Sequence, residues 1–311
     1  MRPIDAVSCE ADDVVVTAGA QQAFDLLARV LVTPGRTTVA VEDPGYPPLR
    51  ASFQAAGAKV SAVGVDAEGL VVGLLPPQAR VICVTPSHQF PLGSVMSARR
   101  RSELLDFAQT RRAVIIEDDY DGEFRFGDRP LDALQTLDRA GSVFYVGTFS
   151  KSLLPGVRLA YIVAPPWARP ALIAAKAVAD GHCCTLIQDT LTALIAEGHL
   201  ARHVRKMRQI YAVRRARLLE GLKSGCAEWF DPIPSAAGLH IAAVSKRPVD
   251  EAAVVAEARK LGVRVHALGV YYMRRPVKRG LLFGYGAIEE NDIGEGLTRL
   301  RRALRLANAR L

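Results

Sequence analysis

The stretch Gly147-Thr148-Phe149-Ser150-Lys151-Ser152-Leu153-Leu154-Pro155-Gly156-Val157-Arg158 decides how the chain is read. It follows Val143 to Val146, an apolar run with the look of a buried strand. A lysine placed between hydroxyl residues, at the end of a strand and beside a rigid turn, loses part of its hydration, which frees its amine for Schiff-base formation. For a lysine read alone, a solvated side chain in a polar turn is the commoner case. The reading of Lys151 therefore rests on partners supplied elsewhere in the chain.

The segments upstream supply them. Val14-Val15-Val16 predicts a strand and runs into Thr17-Ala18-Gly19-Ala20-Gln21-Gln22, then into an amphipathic helix with Phe24, Leu27, Val30 and Leu31 on one face. A small-residue turn ahead of a helix exposes backbone N–H groups at the positive end of the helix dipole, which suits a phosphate. Thr38 to Val41 predicts a strand ending in Glu42-Asp43-Pro44-Gly45-Tyr46-Pro47-Pro48. The prolines stiffen that loop, so Tyr46 is either a plate for a planar ligand or a plug on the core. Further strands are expected at Lys59 to Val63, Val81 to Val84, Val114 to Ile116 and Leu159 to Val163. Helices are expected over Leu49 to Ala56, closed by Gly57, and over Ser97 to Arg111 with Ser97 as N-cap. This alternation predicts an α/β protein with a mostly parallel sheet covered on both faces, whose ligand sits at the carboxyl ends of the strands.

After Ile116 come five acidic groups in seven residues, Glu117 to Glu123. Such a run usually marks a solvated turn. At the end of a buried strand one carboxylate, Asp118, can accept a charged hydrogen bond from a ring N–H, and Tyr120 can donate to a ring oxygen. A metal site is the competing reading, placed behind because the run has neither histidines nor a calcium-loop pattern. His199 and His203 lie four apart without an H-E-x-x-H around them, which reads as a solvated helix face.

Helices follow over Ala168 to Asp180, Gln188 to Glu197 and Leu200 to Lys223, the last with an arginine stripe (Arg202, Arg205, Arg208, Arg214, Arg215, Arg217) read as the solvent face of a helix bridging two domains. Beyond Ala227, strands at Leu239 to Val244, Val263 to His266 and Gly280 to Phe283 alternate with helices at Asp250 to Leu261 and Glu289 to Leu306, which predicts a smaller α+β domain. The division expected is 1–200 for the large domain and 201–311 for the bridging helix and small domain, within the 311 residues of the chain.

The formal net charge is +8, spread along the chain without interleaved aromatics, which fits an anionic ligand better than a nucleic-acid surface. The cysteines at 9, 83, 183, 184 and 226 are odd in number and form no C-x-x-C, as in a reducing cytoplasm. No apolar run is long enough to span a membrane, and Met1 to Asp5 lacks the apolar stretch of a leader.

Together these parts form one set: an amine at Lys151, a carboxylate at Asp118, a phenol at Tyr120, a plate at Tyr46, and a phosphate seat at Gly19, Ala20 and Gln21 completed by Thr148, Ser150 and Arg158. That is what holding pyridoxal 5'-phosphate requires. The runs V-V-V-T-A-G-A-Q-Q-A (14 to 23), V-E-D-P-G-Y-P (41 to 47), V-T-P-S-H-Q-F-P-L-G (84 to 93), I-I-E-D-D-Y-D-G-E-F-R-F (115 to 126) and G-T-F-S-K-S-L-L-P-G-V-R-L-A-Y (147 to 161) resemble the aminotransferase-like domain of MocR-type regulators in the GntR superfamily. The resemblance covers essentially the whole chain. It implies the fold-type-I, aspartate-aminotransferase-like architecture, with Lys151 as Schiff-base lysine, Asp118 paired to the pyridine nitrogen, Tyr120 near the ring hydroxyl and Tyr46 stacked on the ring. It places Gly19, Ala20, Gln21, Thr148, Ser150 and Arg158 around the phosphate, and His88 or Gln89 where related enzymes hold an asparagine.

Only thirteen residues precede Val14, so the winged helix of such regulators is expected to be absent from this chain, as in a fragment, a misassigned start or a degraded gene. The arginine that binds a substrate carboxylate in related enzymes has no assigned counterpart among Arg274, Arg275 and Arg279. Two functions follow from the resemblance. One is the effector domain of a cytoplasmic, homodimeric transcription regulator, sensing an amino acid or amine and reaching DNA only through a winged helix. The other is an active class I/II aminotransferase.

Overall fold

The computed structural model describes residues 7–126, 132–235 and 237–308. The leader reading at Met1 to Asp5 lies outside them. The first part of the chain forms β1 (Val14–Thr17), α1 (Ala20–Leu31), β2 (Thr38–Asp43), α2 (Pro47–Ala55), β3 (Lys59–Asp66), β4 (Gly69–Leu70), β5 (Ala79–Val84), α3 (Ala98–Arg111), β6 (Val114–Asp119), α4 (Leu134–Leu137), β7 (Val143–Thr148) and β8 (Ala160–Val163). Then come α5 (Arg169–Asp180), α6 (Thr185–Ala196), α7 (His199–Gly225), β9 (Phe230–Pro232), β10 (His240–Ser245), α8 (Glu251–Lys260), β11 (His266–Ala267), β12 (Gly280–Gly284) and α9 (Asp292–Asn308).

All six residues of β7 are buried, as a strand covered on both faces requires. It sits inside an eight-stranded sheet of order β1-β8-β7-β6-β5-β2-β3-β4. The run β3-β2-β5-β6-β7 is parallel. β8 runs antiparallel to both β7 and β1. The turns after β1, β2, β5, β6 and β7 therefore all open at one end of the sheet. One face packs on α1, α2 and α5, where Phe24, Leu26 and Leu27 are fully buried. Each of those side chains contributes about 2 kcal/mol of burial. The other face packs on α3, whose N-cap Ser97 accepts from the Arg100 N–H at 3.2 Å.

The second sheet is four-stranded, of order β11-β12-β10-β9, and shares a core with α7, α8 and α9. Two expectations need correction. The strand expected over Val263 to His266 is reduced to His266–Ala267. Gly262, at φ +75°, and Val263 instead close α8, with their N–H groups on the Arg259 and Ala258 carbonyls. That is a Schellman cap, which consumes the start of the expected strand. The arginine stripe of α7 is not uniformly a solvent face. Arg214 is buried on the Gly286 carbonyl at 2.8 Å. Arg208 and Arg215 donate to the backbone carbonyls of Glu123 and Ser235, because α7 lies against both the acidic loop and the small sheet. Among the described residues no helix is long and apolar enough to cross a membrane.

Candidate functional site

Parallel register builds the site. Asp118 on β6 pairs with Val146 on β7, so its carboxylate comes level with the turn that carries Thr148 and Lys151. Strand alternation sends Glu117 and Asp119 to one face and Asp118 to the other. Glu117 accepts from the Leu134 and Gln135 N–H groups, each at 3.0 Å, and Asp119 accepts from the Tyr145 hydroxyl at 2.9 Å. Those acids tie loops together. Asp118 is only 3% exposed, and among the described residues its Oδ1 has no hydrogen-bond donor. Burial, followed by the charges of Asp119, Asp121 and Glu42, pushes its carboxyl well above the ordinary range, while the Lys151 charge pulls it down. A buried carboxylate with an open acceptor and a raised proton affinity fits a cationic N–H donor such as a pyridinium.

The turn after β1 makes the second part. Gly19 has φ 82° and ψ 164° and N-caps α1, leaving the first backbone N–H groups of the helix facing the same end of the sheet. The guanidinium of Arg158 lies over this turn, donating to the Ala18 carbonyl at 3.0 Å. Arg158 itself takes a left-handed conformation, φ 50°, where the chain turns into β8. Thr148 and Ser150 share a hydroxyl contact of 3.1 Å beside it, and the Ser150 N–H donates to Thr148 Oγ1 at 3.2 Å. Helix N–H groups, a guanidinium and two hydroxyls make a donor set of the kind an anion needs. Ala20 opens α1 behind Gly19. Gln21 is turned aside, its amide donating to Ser52 Oγ at 2.7 Å and to the Pro48 carbonyl.

Tyr46 is 40% exposed, which favours a plate over a core plug. Its ring is propped edge-on by Phe24 and Phe90, with centroids at 6.5 and 5.7 Å. The charges of Asp118 and Arg158 both act on its phenol, behind burial as the main cause of its raised pKa. Lys151 is exposed at the mouth, and its charge reaches both Asp118 and His240.

The loop after β5 divides its two candidates. Gln89 is buried beneath the site, its amide on the Pro44 and Phe90 carbonyls at 2.8 and 2.6 Å. His88 sits against Tyr120, with its Nδ1 2.9 Å from the Tyr120 hydroxyl and 2.9 Å from Asp121 Oδ2. Three participants outside the acidic run escaped sequence reasoning. Ser235 meets His88 Nε2 at 3.0 Å, and His240 packs on His88 with ring centroids 4.8 Å apart. Both come from the segment around β10, about 150 residues from His88 in sequence, and no local signal links them. Glu42, the third, lies at the end of β2 and accepts from Thr85 Oγ1 at 2.6 Å; burial pushes its carboxyl up to about 7. His88, Asp121 and His240 bring one potential metal-ligating atom each within 4.8 Å. Both His88 nitrogens already hold hydrogen bonds to protein groups, and His240 Nε2 is on the Pro91 carbonyl at 3.1 Å.

The family model described as aminotransferase class I and II matches residues 3–268. The chain is 34% identical over 304 residues to the probable rhizopine catabolism regulatory protein MocR of Rhizobium meliloti, covering 97% of this chain and 62% of that protein. It is 30% identical over 315 residues to a 2-aminoadipate transaminase of Thermus thermophilus, covering 94% of this chain and 76% of that one. The crystal structure of LysN, an alpha-aminoadipate aminotransferase of Thermus thermophilus complexed with N-(5'-phosphopyridoxyl)-L-leucine, superposes with a TM-score of 0.89 at 28% identity, covering 96% of this chain and 79% of that one. The chain spans 62% to 65% of the length of regulators that it matches at 34% to 35% identity. A family match over most of the chain, and a relative above the identity at which folds are reliably shared, place it: the chain belongs to the aminotransferase class I and II family.

Proposed function

We propose that this chain is the pyridoxal-phosphate-binding, ligand-sensing domain of a MocR-type regulator, with Lys151 as the covalent anchor of the cofactor. The observation that carries the reading is the convergence at one sheet end of the Gly19–Arg158 turn, the Asp118 Oδ1 that has no donor among the described residues, and the Lys151 amine. When bound, pyridoxal phosphate supplies an electrophilic aldehyde and an electron-withdrawing ring. The chain's own residues do the rest. Asp118 accepts the ring N–H and keeps its proton in place. Tyr46 covers one face of the ring. The α1 N-terminus, Thr148, Ser150 and Arg158 hold the phosphate. Lys151 presents its amine to the aldehyde, and an amino acid or amine effector competes with it there. Residues 1–200 form the cofactor-holding large domain, and 201–311 the bridging helix and small domain.

DNA contact belongs to a winged-helix segment of the regulator, and the working compartment is the cytoplasm. A homodimer forms through the apolar side chains that α5 and α6 leave exposed, among them Val178 at 85% and Leu186 at 71% exposure; exposed apolar side chains grouped on neighbouring helices suit association. A second reading, an active class I/II aminotransferase, is favoured by the intact Lys151, Asp118 and Tyr120 set. Adding an amino acid and a 2-keto acid to the loaded protein separates the two. A single, stoichiometric turnover or none supports the sensor, and sustained amino-group transfer overturns it in favour of the enzyme.

A further inference from the structure

The network around Tyr120 is more elaborate than a lone phenol needs. His88 and Asp121 are each 1% exposed. His88 Nδ1 stands 2.9 and 3.2 Å from the two Asp121 carboxylate oxygens and 2.9 Å from the Tyr120 oxygen, so one ring nitrogen faces a carboxylate and a phenol at once. On the far side, Nε2 meets Ser235 Oγ at 3.0 Å, and that hydroxyl lies 3.0 Å from the Ala237 carbonyl. Gly238, at φ +87°, closes over the pair, and a Cβ there would collide with the His88 ring and lie 2.7 Å from Asp121 Oδ2. His240 packs on the ring with its Nε2 on the Pro91 carbonyl. A carbonyl only accepts, so that nitrogen carries the hydrogen.

Donor and acceptor rules settle the direction on the Nδ1 side. An ionised carboxylate only accepts. A bare Nδ1 would set a lone pair against Asp121 where no water can intervene, a costly arrangement. Asp121 therefore keeps a proton on Nδ1. The Tyr120 oxygen, at the same distance, accepts from that N–H, and its own proton is left to point away from His88. We propose that the Asp121–His88 pair is the positioning device of Tyr120, fixing its hydroxyl as a donor toward the ring oxygen of the bound cofactor, with Ser235 holding the pair from the small-sheet side. The proposal rests on the cofactor reading above. It assigns His88 to positioning through Tyr120 rather than to contact with the cofactor. As in other carboxylate–histidine pairs, the buried carboxylate fixes which ring nitrogen carries the hydrogen.

Two measurements test it. In protein without cofactor, labelled with 15N-histidine, the His88 resonances, assigned by their loss in His88→Gln, should report a protonated Nδ1. A bare Nδ1 overturns the proposal. In the second arm, Asp121→Asn puts an amide donor against Nδ1, moves the ring proton to Nε2 and lets Tyr120 donate inward. Asp121→Asn and Tyr120→Phe should each weaken pyridoxal phosphate binding by on the order of tenfold, and the double variant should be no weaker than either single. Additive losses overturn the coupling. Failure of the wild type to take up pyridoxal phosphate at Lys151 overturns the proposed function, and the cofactor-free nitrogen spectrum decides the Asp121–His88 pair in either case. The same spectrum keeps the test decisive should Asp121→Asn not fold.

Discussion

Gly19→Ala tests the proposed phosphate seat most sharply, because the structure assigns it two separate costs. The backbone at Gly19, φ 82° and ψ 164°, lies in a region essentially reserved for glycine. A side chain there costs about 1–3 kcal/mol of strain. The added Cβ would also stand 2.5 Å from Arg158 Nη2 and 2.7 Å from Cζ, so the guanidinium has to leave the turn. A lost charge-assisted hydrogen bond to an anion is worth about 1.5–3 kcal/mol, or roughly 10- to 150-fold in affinity. Urea unfolding should show the variant about 2 kcal/mol less stable. Titration with pyridoxal phosphate, followed by absorbance, should show binding weakened by at least about tenfold. Arg158→Ala should reproduce the binding loss without the backbone strain. Combining the two should weaken binding by less than the product of the single effects, since both remove one interaction. Wild-type stability and affinity in Gly19→Ala would refute the phosphate seat.

Other expectations follow from single side chains. Burial pushes the Glu42 carboxyl up to about 7 from its ordinary 4.5, so the folded state holds this proton more tightly than the unfolded one. Its contribution to stability is fully present below pH 4.5 and is lost as pH rises through 7. Glu42→Gln should therefore be neutral in unfolding experiments at pH 4 and stabilising at pH 8 by on the order of 3 kcal/mol. An equal effect at both pH values would count against the burial. Leu186→Asp, at a position 71% exposed on α6, should leave the fold intact by circular dichroism and convert the dimer to a monomer in light scattering. A wild-type monomer would contradict the proposed interface. Ser97→Ala removes the 3.2 Å cap on α3 and should cost about 1 kcal/mol in urea unfolding.

Much of this architecture is legible in the chain because the large sheet is built from short apolar runs that each end in a distinctive loop. β7 reads as a strand from Val143 to Val146, and its neighbours β2, β5 and β6 read likewise, because strands buried on both faces leave little room for polar residues. Asp118 and Lys151 stand out in the chain because each lies within five residues of the end of such a run. The small sheet is harder. β9 is three residues ending in Pro232, and β11 is cut to two by the cap on α8, so neither has a run long enough to read. The network behind Tyr120 is not legible at all. Ser235 and His240 meet His88 only because α7 and β10 carry the small sheet back against the loop after β5, a contact made by tertiary packing. The arginines of α7 fail for a related reason. A basic stripe on a helix reads as solvated until the fold places backbone carbonyls within its reach, as at Glu123, Ser235 and Gly286.

The most direct test of the central claim is the identity of the residue that captures pyridoxal phosphate. Wild-type protein mixed with the cofactor should develop a visible absorbance band. Borohydride reduction followed by peptide mass mapping should place one pyridoxyl group per chain on Lys151, with Lys151→Ala colourless and unlabelled. A colourless wild type, or labelling that persists at another lysine when Lys151 is replaced, would contradict the assignment of this site.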